Sequence, residues 1–100
     1  MWIFTDTGFI SAVRKPERPN SLTVRARDRK SLEALATLAG AEIKRSPHGD
    51  YPYRVFVADS LFNQWLLERT AELDYSNFKN QVAKTRGSKF VHLLHDVWAA

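Results

Sequence analysis

The chain has 100 residues, a net charge of +4 and no cysteine. This length predicts a single domain over residues 1–100, and the lack of cysteine excludes a disulfide scaffold, a thiolate metal site and cysteine catalysis. The hydrophobic fraction of 44% is typical of a globular protein. No stretch approaches the roughly 20 apolar residues of a membrane span, and the N-terminus lacks the features of a signal peptide. We therefore expect a cytoplasmic protein with no membrane partner.

Residues 2–15 are rich in aromatic and β-branched side chains around Asp6-Thr7-Gly8. This pattern predicts strands at about 2–5 and 9–15, joined either as a tight hairpin or as one long strand bulged at Gly8. Residues 15–20 contain two prolines and form a loop. Residues 22–27 then alternate as a half-buried strand with a basic outer face. The inward positions are Leu22, Val24 and Ala26, and the outward positions are Thr23, Arg25 and Arg27.

Asp28 is a candidate N-cap for a helix that ends at Gly40. A short strand at 41–45 and a turn at 46–50 follow. Residues 51–58 predict another strand, in which Pro52 either marks a sheet edge or precedes the paired segment. Asp59 or Ser60 caps a second helix. The apolar residues of the two helices are Leu32, Leu35, Leu38 and Ala39 in the first, and Phe62, Trp65, Leu66 and Leu73 in the second.

Residues 74–100 have helical periodicity, interrupted at Gly87-Ser88. The order of elements predicts an α+β fold, with an antiparallel sheet of four to five strands and two to four helices packed on one face. The central strand-helix-strand-strand-helix portion is partly ferredoxin-like, which is an analogy of fold alone.

The positive charge is concentrated in one segment. Between Arg14 and Lys30, seven basic residues against two acidic ones give +5, which leaves −1 for the rest of the chain. Guanidinium groups spaced along a strand suit phosphates or clustered carboxylates, so the basic sheet region predicts a non-enzymatic module that binds RNA, DNA or an acidic protein. The alternatives are a solvated sheet face, or ion pairs of these cations with Glu33, Glu42 or Asp59. The candidate binding residues are Arg14, Arg25, Arg27 and Arg54, with Lys79 as an outlying member.

Tyr51 and Tyr53 are candidates for stacking on bases, because aromatic side chains beside basic ones on a sheet are a common arrangement for RNA recognition. The glycines of the RNA-recognition signature are absent, and packing in the core or at a sheet edge is the alternative. If they stack on bases, the two tyrosines add specificity to the contacts of the arginines.

Residues 74–79 bring an acid, a phenol, a hydroxyl, an amide and an ammonium together at a helix junction. Capping and core packing account for them, and no dinucleotide-binding motif accompanies Tyr75 and Lys79. His92, His95 and Asp96 have helical spacing, but two imidazoles and a carboxylate on one helix are weak grounds for a metal-assisted hydrolase. We therefore predict neither catalytic residues nor a cofactor nor a metal.

The rival hypothesis is a protein–protein interaction module that acts through the aromatic C-terminal helices. Phe90 and Trp98 are its candidate interface residues, because Trp and Phe are favoured at interfaces. Such a protein would be a regulator or inhibitor, for example of a phage or defence system, and a homodimer through this surface is its simplest form.

Five segments stand out when they are taken together. They are the start Met1-Trp2-Ile3-Phe4-Thr5 with Gly8-Phe9-Ile10-Ser11, the strand Val24-Arg25-Ala26-Arg27, the pair Tyr53-Arg54, the junction Asp74-Tyr75-Ser76-Asn77-Phe78-Lys79 and the closing His95 to Trp98. In these segments the chain resembles a set of small bacterial proteins of about 100 residues. The resemblance implies a free-standing intracellular domain and brings no catalytic residues with it.

Overall fold

The computed structural model describes residues 1–47 and 49–73, which form a five-stranded antiparallel sheet and two helices. The α+β class and the predicted sheet are confirmed. The strands are β1 (Trp2–Thr5), β2 (Gly8–Val13), β3 (Ser21–Ala26), β4 (Lys44–Arg45) and β5 (Tyr53–Ala58), and the helices are α1 (Lys30–Ala39) and α2 (Asp59–Ala71). The predicted helical segment 74–100 lies outside the described residues.

The strand order is β1-β2-β3-β5-β4, with every neighbouring pair antiparallel. Because β5 pairs in this way with both β3 and β4, those two strands run parallel to each other and α1 crosses between them. This is the split β-α-β unit of ferredoxin-like folds. The hairpin β1–β2 extends the sheet on the other side of β3, where it adds two strands that precede the split unit in the chain.

The first two strands form the tight hairpin. Thr5 lies opposite Gly8, so Asp6 and Thr7 make a two-residue turn. Gly8 has a φ of +142°, which a residue with a side chain rarely adopts. The alternative of one bulged strand is therefore wrong.

The helices begin and end for different reasons. α1 ends in a Schellman motif, in which Gly40 has a φ of +61° and the Ala41 N–H donates to the Ala36 carbonyl over 3.0 Å. None of the predicted N-caps holds that position. Arg29 is the N-cap of α1 in place of Asp28, and Ala58 is the N-cap of α2 in place of Asp59 or Ser60. Neither N-cap residue makes a side-chain capping hydrogen bond within the described part of the chain.

Both helices cover one face of the sheet. The buried residues of that face are Ile10, Ala12, Val24, Ala26, Val55 and Val57, and they pack against Leu32, Leu35, Ala36, Phe62 and Trp65 of the helices. The alternation of residues 22–27 predicted the inward positions of Val24 and Ala26, and Leu22 packs against the same core. No helix of the described residues is long and apolar enough to cross a membrane.

Candidate nucleic-acid interface

The sheet face opposite α1 and α2 carries cations and aromatic rings, and we call it the arginine face. Directly opposed residues of antiparallel strands share a face, so the register defines its members. They are Trp2 and Phe4 from β1, Phe9, Ser11 and Val13 from β2, Ser21, Thr23 and Arg25 from β3, Arg54, Phe56 and Ala58 from β5, and Lys44 from β4.

One row of this face crosses all five strands. Trp2 lies opposite Ser11, Ser11 opposite Arg25, Arg25 opposite Arg54, and Arg54 opposite Lys44. Neighbouring strands lie about 4.8 Å apart, so the three cations occupy roughly 10 Å of the row. We call this set of five residues the cross-strand row.

The cations of the cross-strand row have no carboxylate partner among the described residues. The ion pairs found there join Arg14 to Asp59, and Arg69 to Asp6 and Glu72. No strand position of the arginine face holds an acid. The alternative interpretation of Arg25 as a member of an ion pair with Glu33, Glu42 or Asp59 therefore fails within this part of the chain.

Arg25 is held in place by its neighbours. Its Nη2 donates to the Ser11 hydroxyl over 3.1 Å, and its guanidinium lies 4.9 Å from the centre of the Tyr51 ring. Arg27 approaches the same ring at 5.8 Å. A guanidinium restrained in this way loses less conformational freedom when an anion binds it. Tyr51 therefore acts as a support for two arginines.

A second cation–π pair lies beside the cross-strand row. Arg18, in the loop between β2 and β3, places its guanidinium 3.7 Å from the centre of the Phe56 ring. Arg18 lies outside the predicted strands, and this contact places it on the arginine face. Among the described residues, five cations therefore lie on or beside this face, namely Arg18, Arg25, Arg27, Lys44 and Arg54.

Several polar atoms beneath these side chains are buried without a hydrogen-bond partner. They are Thr23 Oγ1, Arg25 Nε and Arg54 Nε. Thr23 was predicted to point outward and does lie on the arginine face, but only 1% of it is exposed. Buried polar groups without a hydrogen-bond partner cost free energy, which a bound water or ligand would recover.

The structure separates the predicted binding residues into two groups. Arg25, Arg27 and Arg54 come together on or beside the arginine face. Arg14 lies where β2 ends and α2 begins, where its Nη1 donates to the Pro19 carbonyl over 2.7 Å and to Asp59 Oδ1 over 3.0 Å. Among the predicted binding residues that the structure describes, Arg14 alone forms an ion pair. Lys79 lies outside the described residues.

The two predicted stacking residues also separate. Tyr53 packs against the core on the helix side of the sheet, and its ring lies 5.8 Å from the Arg45 guanidinium. Tyr51 precedes β5 and lies beside Arg25. The sequence pattern placed both on one strand face, but β5 begins only after Pro52, because proline has no N–H for the ladder.

Trp2, Phe4, Arg18 and Lys44 belong to the arginine face and were not among the predicted site residues. Alternation marks Trp2 and Phe4 as sharing a face, but the partner strand decides which other side chains they join. Lys44 lies in a strand of two residues, which is too short for a periodic signal. The interface candidates Phe90 and Trp98, and the pair His92 and His95, lie outside the described residues.

The rest of the described chain offers weaker candidates for a functional site. No group of three or more potential metal ligands occurs among these residues. A cavity of about 130 Å³ lies between β1 and the C-terminal half of α2, and its lining is mainly apolar. The Arg69–Asp6 pair beside it joins the hairpin turn to α2 at 3.3 Å. The arginine face is therefore the candidate site.

Comparison of the chain with protein-family models, with curated proteins and with solved structures gives no match. The resemblance to small bacterial proteins gains no support from these comparisons. What the arginine face does is therefore inferred from its register, its contacts and its charge.

Proposed function

We propose that this protein is a non-enzymatic binding module whose arginine face engages the phosphates of a nucleic acid. The observation that carries the proposal is the line of three cations, Arg25, Arg54 and Lys44, on adjacent strands with no described carboxylate beside them. Like charges placed directly opposite each other weaken a sheet. A polyanion laid across the strands would relieve that repulsion.

The chemistry of the cations favours phosphate over carboxylate as the ligand. Two of the three are guanidinium groups, whose planar arrangement of donors matches phosphate oxygens, and a phosphodiester chain presents its charges as a continuous line. The exposed aromatic ring of Trp2 in the same row gives a nucleic acid a further contact that an acidic peptide would not use in the same way.

Salt dependence of binding tests this proposal. We expect a fluorescein-labelled 20-nucleotide oligo(U) to bind with a slope of log K against log[NaCl] of about −2, because each of roughly three phosphate contacts contributes about −0.7. The double variant Arg25→Ala, Arg54→Ala should weaken binding and bring the slope about 1.4 closer to zero. Fluorescence anisotropy between 50 and 200 mM NaCl, on the order of physiological salt, measures both quantities.

The single variant Arg25→Ala is compared with Arg14→Ala as its matched control, because each removes one unit charge and Arg14 lies away from the arginine face. We expect Arg14→Ala to leave the slope nearly unchanged. Equal weakening by Arg14→Ala and by Arg25→Ala would show that only the overall charge matters and would contradict the proposal. Binding of poly(glutamate) without binding of oligo(U) would also contradict it, and would indicate an acidic protein as the partner.

A further inference from the structure

We infer that the arginine face selects single-stranded over double-stranded nucleic acid, because Trp2 provides a stacking platform for one unpaired base. This inference rests on the proposed function and adds the class of ligand. Its basis is that Trp2 belongs to the same cross-strand row as Arg25, Arg54 and Lys44. One end of the row is therefore aromatic and the other end is cationic.

Trp2 is the most exposed large hydrophobic side chain on the arginine face. It is 73% exposed, whereas Phe4 is 36% exposed and packs against Phe9 with ring centres 4.5 Å apart. Trp2 makes no ring stacking or cation–π contact with a described residue. An exposed indole contributes little to folding, but it offers a large flat surface for a ligand ring.

The spacing within the row fits one base followed by the phosphates of the next nucleotides. Trp2 and Arg25 are separated by two strand spacings, or about 10 Å, and Lys44 lies about 19 Å from Trp2. Ser11 lies between Trp2 and Arg25 in the row, and the Arg25 guanidinium donates to its hydroxyl, so the cation extends from β3 over β2 toward Trp2. A single strand can follow this row across the sheet.

A duplex cannot use both ends of the row together. Its bases are stacked and paired inside the helix, so an indole on a flat sheet reaches them only after a base is unpaired. In a single strand each base has a free face, and stacking of a base on an aromatic side chain is largely independent of sequence. The inference therefore predicts preference for single strands without strong preference for a base.

Abasic oligonucleotides separate stacking from phosphate contact. We expect the wild-type protein to bind a 12-nucleotide oligo(dT) about 5- to 100-fold more tightly than an abasic oligonucleotide with the same number of phosphates. A duplex of that length should also bind more weakly per phosphate. In Trp2→Ala the ratio between oligo(dT) and abasic affinity should fall toward one, while the salt slope stays unchanged. Anisotropy measures all of these affinities.

Leu67→Ala is the control, since Leu67 is a similarly exposed apolar residue that lies on α2, away from the arginine face. It should keep the wild-type ratio. Equal affinity for oligo(dT) and the abasic oligonucleotide, with the salt dependence intact, would overturn the stacking inference and leave the proposed function standing. No salt-dependent binding of either ligand would overturn both.

Discussion

Arg25 and Arg54 lie directly opposite one another on the neighbouring strands β3 and β5, and Lys44 on β4 extends the line of positive charge. Neighbouring cations of this kind disfavour the folded state, because their repulsion is relieved when the chain unfolds. Other cations of the chain are placed differently: Arg14 has Asp59, and Arg69 has Asp6. A sequence alone does not distinguish the two groups, because pairing partners depend on which strands become neighbours.

Removal of one charge from the cross-strand row should stabilise the protein while it weakens binding. We expect Arg54→Gln to raise the free energy of unfolding by about 0.2–1 kcal/mol at low salt, because the glutamine keeps much of the aliphatic stem and removes the repulsion. The gain should shrink at high salt, where screening already weakens the repulsion. Urea unfolding at two salt concentrations measures it.

Arg27→Gln provides the comparison, because Arg27 is exposed and lies beyond the end of β3, with no cation opposite it. It should change stability little at either salt concentration. A salt-independent loss of stability in Arg54→Gln would mean that packing of the arginine stem outweighs the repulsion. Increased stability together with weaker oligonucleotide binding would identify Arg54 as a residue kept for binding rather than for folding.

At the scale of elements, local patterns predicted the strands and helices well but missed several of their ends. Alternation predicted that Val24 and Ala26 lie on the buried face and that Val55 and Val57 share a face, as the structure shows. The predicted strand at 41–45 shortens to Lys44–Arg45, and Leu73 lies beyond the end of α2. Ends of elements depend on where a partner strand or a packing surface stops, and this information is not local.

The end of α1 was predicted correctly because glycine suits the left-handed conformation there. Gly40→Ala should lower the free energy of unfolding by about 1 kcal/mol, since alanine at a φ of +61° is strained. No atom lies within 4 Å of the position of an added Cβ, so the cost comes from the backbone rather than from a clash. Thermal or urea unfolding measures the change.

Gly40→Asn is the informative companion, because asparagine tolerates the left-handed region better than alanine. Its loss of stability should be clearly smaller. If alanine and asparagine destabilise equally, an effect of side-chain volume, and not of backbone conformation, would be responsible.

At the scale of the whole molecule, the two faces of the sheet differ in the residues that they present. One face builds the core with both helices, and the other gathers the cations and the exposed aromatic rings. The sequence predicted this division for residues 22–27, because alternation within one strand is local. It did not predict that β5 lies between β3 and β4, which brings Arg25, Arg54 and Lys44 into line. That juxtaposition depends on contacts between distant parts of the chain.

The strand order also predicts how stability is distributed. Amide hydrogen exchange should be slowest in the ladder between β3 and β5, which lie inside the sheet and bear the fully buried Val24 and Val55. The edge strands β1 and β4 should exchange faster, since each has a partner strand on only one side in the described part of the chain. Exchange followed residue by residue with NMR checks this order. Protection at Ile3 equal to that at Val55 would contradict it.

The position of β5 has a consequence for the newly made chain. Synthesis from the N-terminus completes β1, β2 and β3 before Tyr53–Ala58 exists, so one side of β3 has no strand to pair with during that time. An unpaired strand edge invites association with other chains, and charged side chains discourage it. Arg25 on β3 and Arg27 just beyond it lie where such protection is needed. The same positive charges that we assign to ligand binding would therefore guard the unfinished sheet against aggregation until β5 arrives.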